Sequence, residues 1–292
     1  MSEIKYTYSD LARSRIYSSL FSRKIIDEVL RGKYETINKV YQLLDDADQF
    51  SNSTYLDYFA YLYQSMVQNY RCEYVFKNEV INKVLLSHFR SAQTVSISEF
   101  HVNQSIADLA MFNGISRAYE IKTDYDSDKR LGHQLVDYQR LFDKCYLVIS
   151  EHNIPKYLDI VPEEVGVITL THKNKTLVHN VLKKARMNNT IDVYTLMRSV
   201  RTTEYRNIVC QIYGTLPCVS EFEMFDTCEK MLMNADNAQV RKAFLQEMKK
   251  RRMNTNQIAQ FDSFFRQLCM ATNISSRDYS MFKENLLNKI TL

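Results

Sequence analysis

The order of apolar and polar residues along the chain predicts helices at both ends and a β-sheet between them. From Tyr8 to Leu44 the apolar positions recur at helical spacing, with a break near Arg31-Gly32 that predicts two helices. From Tyr55 to Tyr70 aromatic and apolar residues form one stripe of a further helix. We expect this stripe to pack in a core, because aromatic rings bury much area, although exposed tyrosines can also stack on unpaired bases.

The middle of the chain predicts three strands and the helices around them. A helix over Tyr74–Phe89 precedes a strand over Val95–Val102, and the alternating stretches Ile106–Met111 and Arg117–Lys122 form a hairpin about Asn113-Gly114. The acidic turn after this hairpin caps the next helix, with Ser127 or Asp128 as the N-cap. That helix runs from about Lys129 to Phe142 and directs inward the side chains of Leu131, Leu135, Tyr138 and Phe142.

The remaining pattern completes an α/β (α+β) fold with a central mixed β-sheet and helical extensions at both ends. The short apolar runs Cys145–Ser150 and Val165–Leu170 predict buried strands. From Thr171 onward the chain reads as lysine-rich helix, and three or four further helices are expected after Val219. We therefore expect an N-terminal helical region over 1–73, a central core over 74–171 and a C-terminal helical region over 172–292.

Composition and charge narrow the function classes. A net charge of +4 and a pI near 8.6 permit nucleic-acid binding without demonstrating it. The six cysteines form no CxxC pair, which argues against a zinc site and a disulfide framework. Because no stretch approaches the roughly 18 apolar residues of a membrane span, we expect a cytoplasmic protein without a membrane partner.

Asp108, Glu120 and Lys122 are the candidate chemical residues. Glu120 and Lys122 alternate along the second hairpin strand and project from one face. If Asn113-Gly114 were a two-residue loop, Asp108 would point to the other face. A common site therefore requires a three-residue connection, or a bulge near Asp108.

Two carboxylates that converge on one point repel each other unless a cation lies between them. Hard oxygen ligands with room for water favour Mg²⁺ or Mn²⁺, which could bind a scissile phosphate and activate water. Lys122 would orient that water or stabilise charge that develops on phosphorus. This arrangement predicts phosphodiester hydrolysis.

These residues resemble the PD-(D/E)XK, or restriction-endonuclease-like, nuclease superfamily. Asp108 followed by Glu120-Ile121-Lys122 is similar to its central motif, although Ala107 stands where a proline is usual. Gln134 and Tyr138 resemble the QxxxY element of its RecB-like branch, and the stretch looks most like small uncharacterised bacterial members. The resemblance implies an αβββαβ core over about residues 74–171 and a metal-dependent nuclease, with DNA as the expected substrate.

The resemblance and the pattern add supporting residues, each with a structural alternative. Gln134 and Tyr138 would support the site and contact the nucleic acid; the alternative is that they belong to an ordinary packing helix. Arg130 could bind a phosphate. Glu79, which stands where the superfamily often has a helix glutamate, and Glu99 are further candidate metal ligands; a solvated helix-end glutamate is the alternative for Glu79. His101 is expected to share a face with Glu99, either as a proton carrier or as an ordinary surface histidine.

Two other functions remain open on the sequence. The fold could serve as a non-catalytic nucleic-acid-binding module, or the sheet could be only the scaffold of a helical protein-interaction module. In that second case Glu120 and Lys122 form an exposed ion pair and Asp108 merely ends a strand. A protein partner would bind through the C-terminal helices, and the sequence does not fix the oligomeric state.

Overall fold

The structure is a computed structural model that describes residues 8–45, 49–50, 52–88, 94–174, 176–251 and 255–291. The chain divides into two compact units. The first unit combines the described residues up to Val84 with His172–Val178 and with Gln257 onward, and the second comprises Leu85–Thr171 and His179–Asn256. The predicted end of the Tyr74 helix, Phe89, lies outside the described residues.

Within the described residues, helices precede and follow six strands, and three short or medium helices lie between strands or just before them. The helices are α1 Asp10–Ser18, α2 Arg23–Leu30, α3 Glu35–Leu44, α4 Tyr55–Asn69, α5 Glu73–Val80, α6 Leu86–His88, α7 Leu131–Leu141, α8 Ile154–Tyr157, α9 Val193–Ser199, α10 Thr202–Tyr213, α11 Glu221–Met233, α12 Asn237–Met248, α13 Thr255–Gln260, α14 Arg266–Thr272 and α15 Ser276–Leu286. A π-helical turn, Ile81–Leu85, joins α5 to α6. The strands are β1 Val95–Val102, β2 Ser105–Asn113, β3 Ile115–Lys122, β4 Lys144–Ser150, β5 Gly166–Lys173 and β6 Thr176–Lys183.

The first unit is a helical body with an aromatic core. The predicted stripe on α4 is buried, as is Tyr17 on α1. Asp45 lies among these rings, and its carboxylate accepts hydrogen bonds of 2.7 Å each from Arg13, Tyr17 and Tyr58. The core interpretation of the α4 stripe is therefore confirmed.

The second unit contains the strands β1 to β4, and β2 and β3 carry the candidate residues. The strand order is β1-β2-β3-β4-β5-β6, with antiparallel pairing among β1, β2 and β3 and parallel pairing from β3 through β4 to β5. The apolar face of α7 packs against this sheet, and its predicted inward residues are all buried: Leu131, Leu135, Tyr138 and Phe142. The predicted α+β class with a mixed central sheet is confirmed.

Several predicted boundaries were wrong. The N-terminal pattern forms three helices, because a second break follows α1 at residues 19–22. The helix after the acidic turn begins at Leu131 with Arg130, not Ser127 or Asp128, as its N-cap. The Ser127 hydroxyl accepts a hydrogen bond from the backbone N–H of Lys129 instead, and the carbonyl of Asp128 accepts one from the N–H of Leu131.

The region after Thr171 also differs from the prediction. It continues β5 to Lys173 and then forms β6, not a helix; β6 lies at the end of the strand order and shows no clear alternation, with Val178, Val181 and Leu182 exposed. After Val219 the described chain contains five helices, one more than the upper prediction. Within the described residues, no helix is both long and apolar enough to cross a membrane.

Candidate active site

The β2–β3 hairpin sets the register of the candidate residues. Asn113 pairs with Ile115 around Gly114, whose φ of 67° lies in the left-handed region that glycine adopts without strain. This is the three-residue connection that a common site requires. Continued along the ladder, the same register places Asp108 across from Glu120.

The two hairpin strands separate at Asp108. Their ladder ends where Leu109 pairs with Tyr119. Beyond that pair, Asp108 Oδ2 accepts a hydrogen bond of 2.7 Å from the backbone N–H of Ile121. The carboxylate therefore takes the place that a carbonyl of a continuing strand would occupy.

The alternation of faces is interrupted at the same level in β1 and β2. Glu99 has a φ of 56°, and the β1–β2 ladder skips Glu99 and Asp108 while it pairs the residues on either side. Ala107 and Ala110, three positions apart, both lie in the core cluster, which agrees with a pleat broken between them. The shared face predicted for Glu99 and His101 rested on strict alternation, and that alternation fails at Glu99.

Glu120 and Lys122 meet side chains from α7. Lys122 Nζ lies 2.8 Å from Glu120 Oε1 and donates to Gln134 Oε1 at 3.1 Å. The Tyr138 hydroxyl lies 2.7 Å from Glu120 Oε2 and 2.6 Å from the carbonyl oxygen of Ile106. Gln134 and Tyr138 on α7 thus hold the Glu120 and Lys122 side chains of β3. The structure brings together five predicted residues: Asp108, Glu120, Lys122, Gln134 and Tyr138.

The electrostatics of this group centre on Glu120, which is 2% exposed. Burial raises the pKa of the Glu120 carboxyl, and the charge of Asp108 raises it further, against the opposing effects of Lys122 and Tyr138. Burial and the charge of Glu120 also raise the pKa of Tyr138, so the hydroxyl keeps its proton and acts as a donor.

These residues fit a divalent cation held by two carboxylates. Mg²⁺ is usually bound by one or two carboxylates together with water and substrate phosphates. Asp108 and Glu120 supply such a pair, and a bound cation would offset the charge of Asp108, which together with burial raises the pKa of Glu120. Among the described residues no group of three or more His, Cys, Asp and Glu side chains could hold a metal, so the protein ligands would be these two.

The other predicted residues lie in the first unit or at exposed positions, with Glu99 level with Asp108 in the β1–β2 ladder. Glu79 belongs to the first unit, where its carboxylate accepts hydrogen bonds from Tyr63 at 2.7 Å and Asn82 at 3.1 Å. Arg130 is exposed at the start of α7, and Glu99 and His101 are exposed on β1.

Two aspartates that were not predicted from the sequence shape this end of the sheet. Asp137, beside Tyr138 on α7, is buried and accepts a hydrogen bond from Ser105 at 2.6 Å. Asp124, just after β3, accepts hydrogen bonds from Ser150 and Asn153. Asp137 lies beside the apolar stripe of α7 and not in it, so no local signal in the sequence marks either aspartate.

Comparison with known proteins identifies a phage family. The sequence profile described as bacteriophage P4 protein cII matches residues 66–282, which include the whole candidate site. Protein cII of Enterobacteria phage P4 is 30% identical over 108 residues, which span 37% of this chain and 40% of the phage protein, so the match covers less than half of that relative.

Among solved structures, the SPO1766 protein of unknown function from Silicibacter pomeroyi matches with a TM-score of 0.31 and 14% identity, over 42% of this chain and 80% of that chain. Because the phage profile matches well over half of the residues, the chain belongs to the bacteriophage P4 protein cII family.

Proposed function

We propose that the protein is a metal-dependent nuclease that hydrolyses phosphodiester bonds of nucleic acid, with DNA as the expected substrate. The observation that carries this proposal is the register around Gly114, which sets Asp108 across from Glu120 where β2 and β3 separate. A role limited to binding has no need for two carboxylates in one cleft, because carboxylates repel phosphate. The resemblance of these residues to the PD-(D/E)XK motif supports the same activity.

Each side chain of the site has a task in this reaction. Lys122 donates to Glu120 and Gln134, and its remaining N–H is the donor that would meet a phosphoryl oxygen or the attacking water. Tyr138 holds one oxygen of Glu120, so the carboxylate keeps a fixed orientation. Gln134 fixes the position of the Lys122 ammonium in turn.

Asp108 and Glu120 would hold Mg²⁺ or Mn²⁺. The chemistry that such a cation supplies when bound is polarisation of the phosphate and acidification of a water molecule. The two carboxylates also exclude a second anion from the cleft except where a cation offsets their charge, so substrate and cation would bind together. This coupling makes nucleic-acid binding in the cleft depend on the divalent cation.

The proposal places the protein in the cytoplasm of a bacterial cell, where a phage-related protein meets nucleic acid. A protein partner would bind the C-terminal helices.

The test is a cleavage assay with the purified chain. Supercoiled, linear and single-stranded DNA and an RNA of matched sequence are incubated with Mg²⁺, Mn²⁺ or EDTA. We expect cleavage of at least one DNA substrate with a divalent cation and none with EDTA. In Glu120→Gln and Lys122→Ala the rate is expected to fall by at least about a hundredfold, the loss typical of removing one charge-stabilising group.

Two outcomes would contradict the proposal. Equal cleavage by the wild-type chain and both variants would assign the activity to a contaminant or to another site. Tight binding of DNA without cleavage under any cation would assign a non-catalytic nucleic-acid-binding module, the second candidate. Matched thermal stability of the variants, measured alongside, shows that a lost rate is not lost folding.

A further inference from the structure

The segment of β2 that leads into Asp108 is held by a helix on the side where β3 would continue. The β2–β3 ladder ends at Leu109, so Ser105, Ile106 and Ala107 pair with β1 but not with β3. The position of Asp108 relative to Glu120 is therefore not fixed by strand pairing alone. Another contact has to set the distance between β2 and β3 beyond Leu109.

Two consecutive residues of α7 supply that contact. Asp137 Oδ2 accepts a hydrogen bond of 2.6 Å from Ser105 Oγ, and the Tyr138 hydroxyl lies 2.6 Å from the carbonyl oxygen of Ile106. Tyr138 also holds Glu120 on β3. Through α7, the strand that carries Asp108 is thus tied to the strand that carries Glu120.

Asp137 also holds the turn that precedes Ser105. Its Oδ1 accepts a hydrogen bond of 3.3 Å from the side-chain amide of Asn103, a turn residue with a φ of 54°. The Asp137 side chain is 1% exposed, and the nearest basic groups are exposed side chains, His133 at 3.4 Å and Arg140 at 4.0 Å. Hydrogen bonds from Ser105 and Asn103 therefore hold this buried carboxylate in place.

We propose that Asp137 is a positioning residue that sets the separation of the Asp108 and Glu120 carboxylates and thereby the affinity of the site for divalent cations. The proposal rests on the function proposed above, because it assumes that these two residues hold the cation. Contacts of this kind orient the ligands without touching the metal, and their loss commonly lowers metal affinity by roughly ten- to a hundredfold.

The chain contains a matched control at the other end of β3. Asp143 resembles Asp137 in that it is buried and bonded to a serine of the sheet, since its Oδ2 accepts hydrogen bonds from the backbone N–H of Ser116 at 2.7 Å and from Ser116 Oγ at 3.1 Å. Ser116 lies near the start of β3, whereas Glu120 and Lys122 lie near its end. Loss of Asp143 should therefore cost stability without moving the carboxylate pair.

The experiment measures the Kd of Mn²⁺ by electron paramagnetic resonance of the free ion, together with the Tm of each metal-free variant. We expect Asp137→Ala to weaken Mn²⁺ binding by about tenfold or more. Asp137→Asn keeps an oxygen acceptor for Ser105 and should retain most of the affinity. Asp143→Ala should lower the Tm and leave the Kd of Mn²⁺ unchanged.

A milder pair of variants covers the case in which an aspartate variant fails to fold. Ser105→Ala should weaken Mn²⁺ binding, and Ser116→Ala should not. If Asp137→Ala folds and binds Mn²⁺ with wild-type affinity, the inference is overturned while the proposed function stands. If only Ser105→Ala folds, wild-type affinity in that variant has the same meaning. Equal weakening in the Asp143 and Ser116 variants overturns it as well, because the effect would then be general loosening. A wild-type chain that binds no Mn²⁺ overturns the proposed function and this inference together.

Discussion

At the scale of single residues, the site is defined by one carboxylate that is hard to ionise. Glu120 is buried, faces the charge of Asp108, and is held by a lysine and a tyrosine. Such a group costs the folded state free energy at neutral pH, which is typical of residues retained for chemistry. Lys122 and Tyr138 reduce this cost without removing it, since the pKa of Glu120 stays above its ordinary value.

The raised pKa gives a prediction for Asp108→Asn in the metal-free protein. Because the folded state holds the Glu120 proton to higher pH than the unfolded chain does, its contribution to stability is present at low pH and is lost as pH rises through the folded pKa. Removing the Asp108 charge should lower the pKa of Glu120 and shift that loss to lower pH. Carbon-13 NMR titration of the glutamate carboxyl groups, with Glu120→Gln for assignment, checks this; an unchanged or higher pKa contradicts it.

At the scale of elements, the hairpin and the helix α7 build the site together. The hairpin supplies the register, and α7 supplies Gln134, Asp137 and Tyr138 to the region where the strands part. The positive φ of Gly114 is the backbone feature on which the register depends.

Two glycines of these elements should respond in opposite ways to alanine. Gly114→Ala should destabilise the protein by about 1–2 kcal/mol, the cost of a left-handed backbone for a residue with a Cβ. Gly132 lies in the first turn of α7 without a positive φ, and an added Cβ would meet no atom within 4 Å. Gly132→Ala should therefore stabilise by up to about 1 kcal/mol. Urea unfolding measures both, and effects of equal sign would contradict this assignment.

The sequence predicts these elements because their signals are local. Asn113-Gly114 marks a turn, and the apolar spacing of α7 identifies its buried face. The bond between Asp137 and Ser105 joins positions far apart in sequence, so no pattern within a window reveals it. The broken pleat at Glu99 and the strand β6 escaped prediction for a related reason, since strand conformation depends on neighbouring strands more than on intrinsic preference.

At the scale of the whole molecule, the chain forms two units that do not follow the three predicted regions in sequence. The first unit needs both ends of the described chain, because α15 packs against α2 and α4. Asn285 on α15 accepts from the Tyr34 hydroxyl through its carbonyl at 2.8 Å and donates to the carbonyl of Val29 through its side chain at 2.8 Å. Because these contacts join residues far apart in sequence, the local periodicity of apolar residues does not predict them.

Deletion of residues 257–292 should therefore open the first unit. The apolar faces of α2 and α4 would lose their partner, and their amide hydrogens should exchange at least about a hundredfold faster than in the full chain. Hydrogen exchange with mass spectrometry measures this for each helix. Unchanged protection of α2 and α4 after the deletion would contradict the described division.

The central claim is that Asp108 and Glu120 act as one catalytic pair with a divalent cation. Its most direct test is the initial rate of Mg²⁺-dependent DNA cleavage by the wild-type chain, by Asp108→Asn and by Asp143→Asn, which changes a buried aspartate at the far end of β3. The account predicts a loss of at least about a hundredfold in Asp108→Asn and a near wild-type rate in Asp143→Asn at a temperature where both are folded. A wild-type rate in Asp108→Asn would contradict the account.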